Sequence, residues 1–416
     1  MKGLSVPGKV PKHYYNITAD LPFKVSPPIN PATKKPINPE ELKQIFPKES
    51  MELEISKERF IPIPEKILEF YKKYRPTPLI RAKNLEKKIG TNCRIYYKYE
   101  GASPTGSHKL NTALAQAFSA KKEGLKGLIT ETGAGQWGSA LSLACKLFDL
   151  DCKVFMVRSS YYQKPGRKTI MNIYGGHVLP SPNEETSFGK KLLDQNPEHP
   201  GSLGIAISEA LETCMKLENY KYSLGSVLTH VLIHQSIIGL EAKEQLPEKA
   251  DAVIGCVGGG SNFGGIALPF YNTGAELIGV EPESCASMGK GEFKYDFGDT
   301  AKITPMLKMH SLGCEFVPPA IHAGGLRYHG VAPLLSAIKE HGLMKTEYYN
   351  QKSVFEAGKL FAETEGIIPA PESCHAIKSV IENAKRRKNQ VLVFCLSGHG
   401  LLDLTGYEQF LRGELE

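Results

Sequence analysis

Ala252-Val253-Ile254-Gly255-Cys256-Val257-Gly258-Gly259-Gly260-Ser261-Asn262 decides the fold. An apolar run without polar alternation predicts a strand buried on both faces. Three glycines then turn the chain into a helical stretch. Strand, glycine turn and helix in succession make the unit of a parallel α/β sheet. The same grammar recurs on both sides. Strands are predicted at 93–99, 127–130, 153–157, 277–280 and 391–396, and helices at 108–122, 137–148, 165–174, 204–218 and 233–246. On the helix at 108–122, Leu110, Ala113, Leu114, Ala117 and Phe118 share one face. Residues 1–64 are Pro-rich and read as irregular. A short helix is expected from Pro64 to Tyr71, ending before Arg75-Pro76-Thr77-Pro78-Leu79, because residues before proline avoid the α region. The Pro-rich arm could wrap the core or serve an oligomer contact.

The chain has 416 residues, enough for two domains or one large α/β unit. Its 41% hydrophobic and 23% charged residues exclude a disordered or collagen-like protein. The net charge of +7 is spread along the chain, and Lys385-Arg386-Arg387-Lys388 reads as a solvated helix end, which argues against a nucleic-acid partner. No apolar run reaches the ~18 residues of a membrane span. The N-terminus lacks the apolar core of a secretion signal, so a cytoplasmic protein is expected. Nine cysteines with no C-x-x-C pair predict reduced, buried thiols. His230 and His234 have metal-ligand spacing, but no H-E-x-x-H accompanies them and no metal is expected.

Four stretches could do chemistry. Gly106-Ser107-His108-Lys109 opens a helix, and a helix N-terminus or partial burial disfavours an ammonium. A free lysine, with a pKa of ~10.4, is an uncharged nucleophile in only about one molecule in a few thousand at neutral pH. Lys109 is therefore positioned to form a Schiff base. The Gly258–Asn262 turn suits an anion, because side-chain-free backbone lets N–H groups converge. It is neither a P-loop nor G-x-G-x-x-G, although Glu281 sits where a dinucleotide fold keeps its ribose-binding acid. In Glu131-Thr132-Gly133-Ala134-Gly135-Gln136-Trp137-Gly138, three glycines and a helix start offer backbone donors for a second anion. This loop could hold a substrate carboxylate, with Glu131 as acid and base beside it. Ser397, after the last strand, could cap a helix or bond a ring nitrogen. Together the four stretches suggest a phosphate-bearing aldehyde cofactor, pyridoxal 5'-phosphate.

With Arg75–Leu79, Gly106–Lys109, Glu131–Gln136, Val257–Asn262, Gly279-Val280-Glu281-Pro282, Glu365-Gly366-Ile367-Ile368-Pro369-Ala370 and Leu396-Ser397-Gly398 in order along the chain, the sequence resembles the tryptophan synthase β chains. These are fold-type II pyridoxal-phosphate enzymes. The resemblance implies two three-layer α/β domains with mostly parallel twisted sheets and the cofactor between them. One would comprise residues 1–74 and 109–232, with the arm and a mobile substrate-side subdomain. The other, 75–108 and 233–416, would hold the cofactor phosphate. The implied activity is a lyase reaction in which indole replaces the hydroxyl of L-serine. Lys109 would carry the cofactor and shuttle the α-proton. His108, Gly258, Gly259, Gly260, Ser261 and Asn262 would hold its phosphate, with Gln136 and Glu365 near it and Ser397 on the ring nitrogen. Glu131 would assist hydroxyl loss and indole attack. Thr132, Gly133, Ala134, Gly135 and Gln136 would bind the amino-acid carboxylate. A neutral Ser397 makes the ring a weaker electron sink than an acidic partner would, which favours β-elimination over transamination.

The sequence departs from common β chains at Trp137, where they have His, and at Arg327, where they have Asp. Such departures, with the long arm, resemble a second, divergent branch that works as a homodimer, often without the usual α chain. Arg327 opens O-phosphoserine as an alternative donor, since a guanidinium fork suits phosphate oxygens. Threonine synthase or cysteine synthase activity would keep the lysine and glycine turn but not Glu131. A non-catalytic scaffold would be expected to lose Lys109 or Glu131.

Overall fold

The computed structural model describes residues 6–415. The first five residues, part of the N-terminus read above as lacking a secretion signal, lie outside the described residues, as does Glu416. Two mostly parallel sheets carry the chain. The four-stranded sheet runs in the order His177–Ser181, Asp151–Val157, Gly127–Thr132, Tyr220–Tyr222, all parallel. The six-stranded sheet runs Lys345–Tyr349, Glu276–Pro282, Ala252–Cys256, Val391–Leu396, Arg94–Tyr99, Leu79–Arg81, and only the last strand is antiparallel. Both Gly127–Thr132 and Val391–Leu396 are buried along their whole length. The unbroken apolar run of Val391–Leu396 follows from helices covering both faces, and Gly127–Thr132 departs from it only in its threonines and in Glu131. The expected α/β class is observed. No helix among the described residues is long and apolar enough to cross a membrane.

Two glycines shape the turns that matter most. Gly135 (φ +96°) and Gly260 (φ +107°) each sit immediately before a helix, Gln136–Leu147 and Ser261–Ala267. A left-handed residue at that point turns the chain sharply and leaves the first helical N–H groups facing the strand ends.

Two expectations need correction. The stretch 233–246 is two helices, Thr229–Gln235 and Ile237–Gln245. Ser236 separates them, because its hydroxyl donates to the Ile233 carbonyl and accepts from Tyr15 N–H. The arm is not irregular throughout. His13–Tyr15 pairs antiparallel with Phe60–Pro62, and Lys48–Glu54 is a helix. The arm wraps the core. Tyr14 is buried with its hydroxyl 3.0 Å from that of Tyr71. Short strands of three residues carry no readable period. All nine cysteines are free and buried.

A buried ionic cluster ties the strand Arg94–Tyr99 to the helix Ile237–Gln245. Arg75 donates to Glu241 (2.8 and 3.0 Å), to Glu100 (3.0 and 3.1 Å) and to Asn111 Oδ1 (2.8 Å). Lys98 Nζ donates to Glu241 (2.8 Å), Gln245 (2.6 Å) and the Thr77 carbonyl (2.6 Å). The charged side chains have no solvent exposure. Burial alone would push the Glu100 carboxyl up, but Arg75 and its neighbours hold it down at about 2. Glu241→Ala would leave two buried cations facing one carboxylate. We expect a loss of about 3–5 kcal/mol in urea unfolding, the cost of breaking a buried pair from one side. A loss under 1 kcal/mol would show that water or another group takes over.

Candidate active site

The loop that carries Lys109 is pinned to the end of strand Val391–Leu396. Ser107 bridges Gly398, and His108 N–H donates to the Ser397 carbonyl at 3.0 Å. Lys109 then caps the helix Leu110–Glu123. Its Nζ donates to the Gly225 carbonyl (2.6 Å) and to Ser261 Oγ (2.8 Å). Burial pushes the amine down to about 8. Roughly a tenth of such amines are uncharged at pH 7, against about one in a few thousand for a free lysine.

His108, Lys109, Gln136, Gly258, Gly259, Gly260, Ser261, Asn262 and Ser397 border one cleft. His108 Nε2 lies 3.1 Å from Ser261 Oγ, and burial holds the imidazole neutral, with its pKa down at about 3. A Cβ on Gly258 would lie 2.6 Å from the Gly325 carbonyl oxygen, and one on Gly259 would strike Ser226 Oγ. The turn is thus bare backbone by steric need. Among the described residues no acceptor takes the amides of Gly258, Gly259 or Gly260. A phosphate fits such a cradle. Ser397 Oγ sits 2.8 Å from Ser373 Oγ, and Cys256 Sγ lies 3.7 Å from it. These groups are all neutral hydrogen-bonding partners, suited to an uncharged ring nitrogen.

Glu131 ends the strand Gly127–Thr132, buried, and accepts from the Tyr222 hydroxyl. Burial pushes its carboxyl up to about 8. Thr132 Oγ1 accepts from Gly138 N–H (3.2 Å), so its hydroxyl braces the following helix. Gly133, Ala134, Gly135 and Gln136 form the turn above it. Trp137 donates to Thr130 Oγ1 at 2.7 Å and lies under Gly225. Tyr222, Ser226 and Val227 also border a separate cavity of about 700 Å3. Its other walls are mainly apolar: Leu203, Ile207 and Leu211 of one helix, with Leu42, Ile45 and Phe46 of the arm.

Three expectations fail in the structure. Glu365 is not at the cleft. It ends the helix Gln351–Glu365 and accepts from Leu85 N–H at 2.8 Å, capping the helix Lys83–Ile89. The chain turns at Gly366 and returns to the cleft only at Ala370. Glu372 occupies the position instead. It borders the cleft, its Oε1 accepts from Gly325 N–H at 2.8 Å, and its Oε2 has no partner. The readable signal was its place just after Pro371, which opens the helix Pro371–Arg386. Glu281 faces no cofactor site, because its carboxylate accepts from Met288 and Gly289 N–H. Arg327 lies outside the cleft proper, in a small space it shares with Gly133 and Gly324. Its guanidinium donates to Ser159 Oγ (3.3 Å) and the Pro318 carbonyl (3.0 Å), both neutral, and Nε has no partner. His230 pairs with Glu54 at 2.9 Å and His234 with Thr112 at 3.0 Å.

Residues 71–398 match the family described as pyridoxal-phosphate dependent enzymes. The tryptophan synthase beta chain 2 of Thermotoga maritima is 59% identical over 413 residues, covering 96% of this chain and 98% of that one. The beta chain 2 of Pyrococcus abyssi is 56% identical and covers 100% and 98%. Among solved structures, threonine deaminase isoform 2 from Solanum lycopersicum superposes with a TM-score of 0.64 at 21% identity, covering 98% of each chain. Serine racemase from Dictyostelium discoideum gives 0.59 at 20%, covering 81% and 96%. At those identities the last two establish the fold alone.

Lys109 should differ from surface lysines in one measurable way. Labelled with an amine-selective reagent at graded pH and mapped by peptide, the ligand-free protein should show Lys109 half-reactive near pH 8. Exposed lysines should follow their ordinary value of ~10.4. A Lys109 midpoint above 10 would mean that burial does not depress the amine.

Proposed function

The chain belongs to the pyridoxal-phosphate dependent enzymes and, within them, to the tryptophan synthase β chains; its activity is the joining of indole to L-serine with loss of water, and we propose that the cleft at Lys109 carries it out as follows. When bound, pyridoxal phosphate supplies an electron sink at the donor's α-carbon. Gly258, Gly259, Gly260, Ser261, Asn262 and His108 would hold its phosphate, Ser397 its ring nitrogen and Lys109 its aldehyde carbon. Gln136 and Glu372 would flank it.

Lys109, with an amine that is partly uncharged near neutrality, takes the donor's α-proton and returns it. Glu131, protonated near neutrality, gives a proton to the departing hydroxyl oxygen. As a carboxylate it then receives one from indole. The turn Thr132–Gln136 orients the donor carboxylate through backbone N–H groups. The 700 Å3 cavity, mainly apolar in its walls, would receive the flat apolar acceptor. The observation that carries this reading is Tyr222, which lines that cavity and donates to Glu131. It joins an apolar acceptor site to a buried acid beside a depressed lysine.

A finer reading concerns the donor. Arg327 is a buried guanidinium bonded only to neutral groups, beside the turn at Gly133. A buried cation with a free N–H favours a doubly charged leaving group over a hydroxyl. We propose that O-phosphoserine serves as donor as well as L-serine.

Glu131→Ala should keep the cofactor, read as its visible absorbance, and lose about 10²–10⁴ in tryptophan formation from serine and indole. Near wild-type turnover would remove Glu131 from the acid–base role. Arg327→Ala should lower kcat/KM for O-phosphoserine at least about tenfold more than for serine, the loss of a charge-assisted contact. Equal losses, or no wild-type turnover of O-phosphoserine, would leave serine as the working donor.

A further inference from the structure

A second cavity, of about 350 Å3, lies at the carboxyl ends of the strands Glu276–Pro282 and Lys345–Tyr349. Open α/β sheets bind ligands outside such ends, and the volume falls in the roughly 300–1,000 Å3 range of small-molecule sites. Ile321, Val354 and Phe355 give it apolar walls. Its mouth carries one charge of each sign, Lys290 and Glu283, held together by a 2.9 Å bond from Lys290 Nζ to the Glu283 carbonyl. The fifteen-residue helix Gln351–Glu365 starts at the same mouth, so its positive end adds to Lys290.

His375 also borders this cavity, buried to 1% exposure. Its Nδ1 lies 3.0 Å from the Pro371 carbonyl. A carbonyl only accepts, so Nδ1 carries the ring proton and Nε2 is a bare acceptor. Nε2 has no hydrogen-bond partner. A buried acceptor without a donor calls for one, and an apolar wall beside it favours a donor carried on a flat apolar ring.

We infer that this cavity is a second binding site, separate from the Lys109 cleft, for a zwitterionic amino acid with an N–H-bearing aromatic ring, of which L-tryptophan is the member this enzyme makes. The ring N–H meets His375 Nε2, the carboxylate meets Lys290 and the helix start, and the ammonium meets Glu283. The choice of tryptophan rests on the activity described above; the chemistry of the cavity does not. The site is joined to the cleft through shared elements. The start of the helix Pro371–Arg386 carries Glu372 and Ser373 at the cleft and His375 at the cavity. Ala323 lines the cavity, and Gly325 and Leu326 line the cleft.

Equilibrium dialysis of radiolabelled L-tryptophan against the holoenzyme counts sites per chain. Two are expected in the wild type, one at the cleft and one at the cavity. His375→Phe should leave one, and Lys290→Glu, an exposed change that spares the core, should weaken the second site at least about tenfold. Initial rates of both variants with serine and indole should stay within about twofold of wild type. A single site in the wild type, or a second site that Lys290→Glu binds as tightly as wild type, overturns the inference. Should His375→Phe fail to fold, Lys290→Glu decides alone. Absence of tryptophan formation by the wild type would refute the activity, while the site count still judges the cavity.

Discussion

Every N–H of the Arg75 guanidinium is committed, and none to water. Its five donors are shared among Glu241, Glu100 and Asn111. Lys98 adds a second cation and Glu100 and Glu241 supply two carboxylates, so the cluster is neutral as a whole. Burying such a set costs several kcal/mol per ion before any attraction is counted. It therefore contributes less to stability than to position, because each group is tolerable only where its partners are. The positions it holds belong to distant parts of the chain. Glu100 follows the strand Arg94–Tyr99, Glu241 lies on the helix Ile237–Gln245, and Asn111 sits in the first turn after Lys109. Asn111 also donates to Gln235, which donates to the His108 carbonyl at 3.1 Å. The lysine loop is thus fixed from beneath by a charge cluster and from the side by Ser397.

The sequence made the local units legible for a physical reason. A strand buried on both faces must be continuously apolar, and a left-handed turn before a helix must be glycine. Gly135 and Gly260 could be read because backbone geometry forbids other residues there. Lys109, Glu131 and Ser397 each sit at a strand end or helix start, so local pattern alone led to them. What failed was long-range. Glu365 and Glu372 lie seven residues apart, and only the path of the chain after Gly366 decides which returns to the cleft. Arg75 gave no local sign of its partners, which lie 25, 36 and 166 residues away. The arm's strand at His13–Tyr15 was invisible for the same reason, since its partner is Phe60–Pro62.

One cause acts on the two groups proposed to move protons, Glu131 and Lys109. Burial pushes the Glu131 carboxyl up to about 8 and the Lys109 amine down to about 8. Desolvation penalises a carboxylate and an ammonium alike, so a dry site neutralises its acid and its base together. Near neutral pH, Glu131 then holds a proton while a useful share of Lys109 is uncharged, the states that the proposed roles require. Water would restore both groups to their ordinary values, with the carboxyl ionised and the amine charged, and each would be in the wrong state. The apolar wall proposed to receive the acceptor adjoins this site through Tyr222, which lines it and donates to Glu131. Leu42, Ile45 and Phe46 of the arm complete that wall. The arm wraps the core, and its Phe46 ring lies 5.5 Å from that of Tyr222, the residue that donates to Glu131.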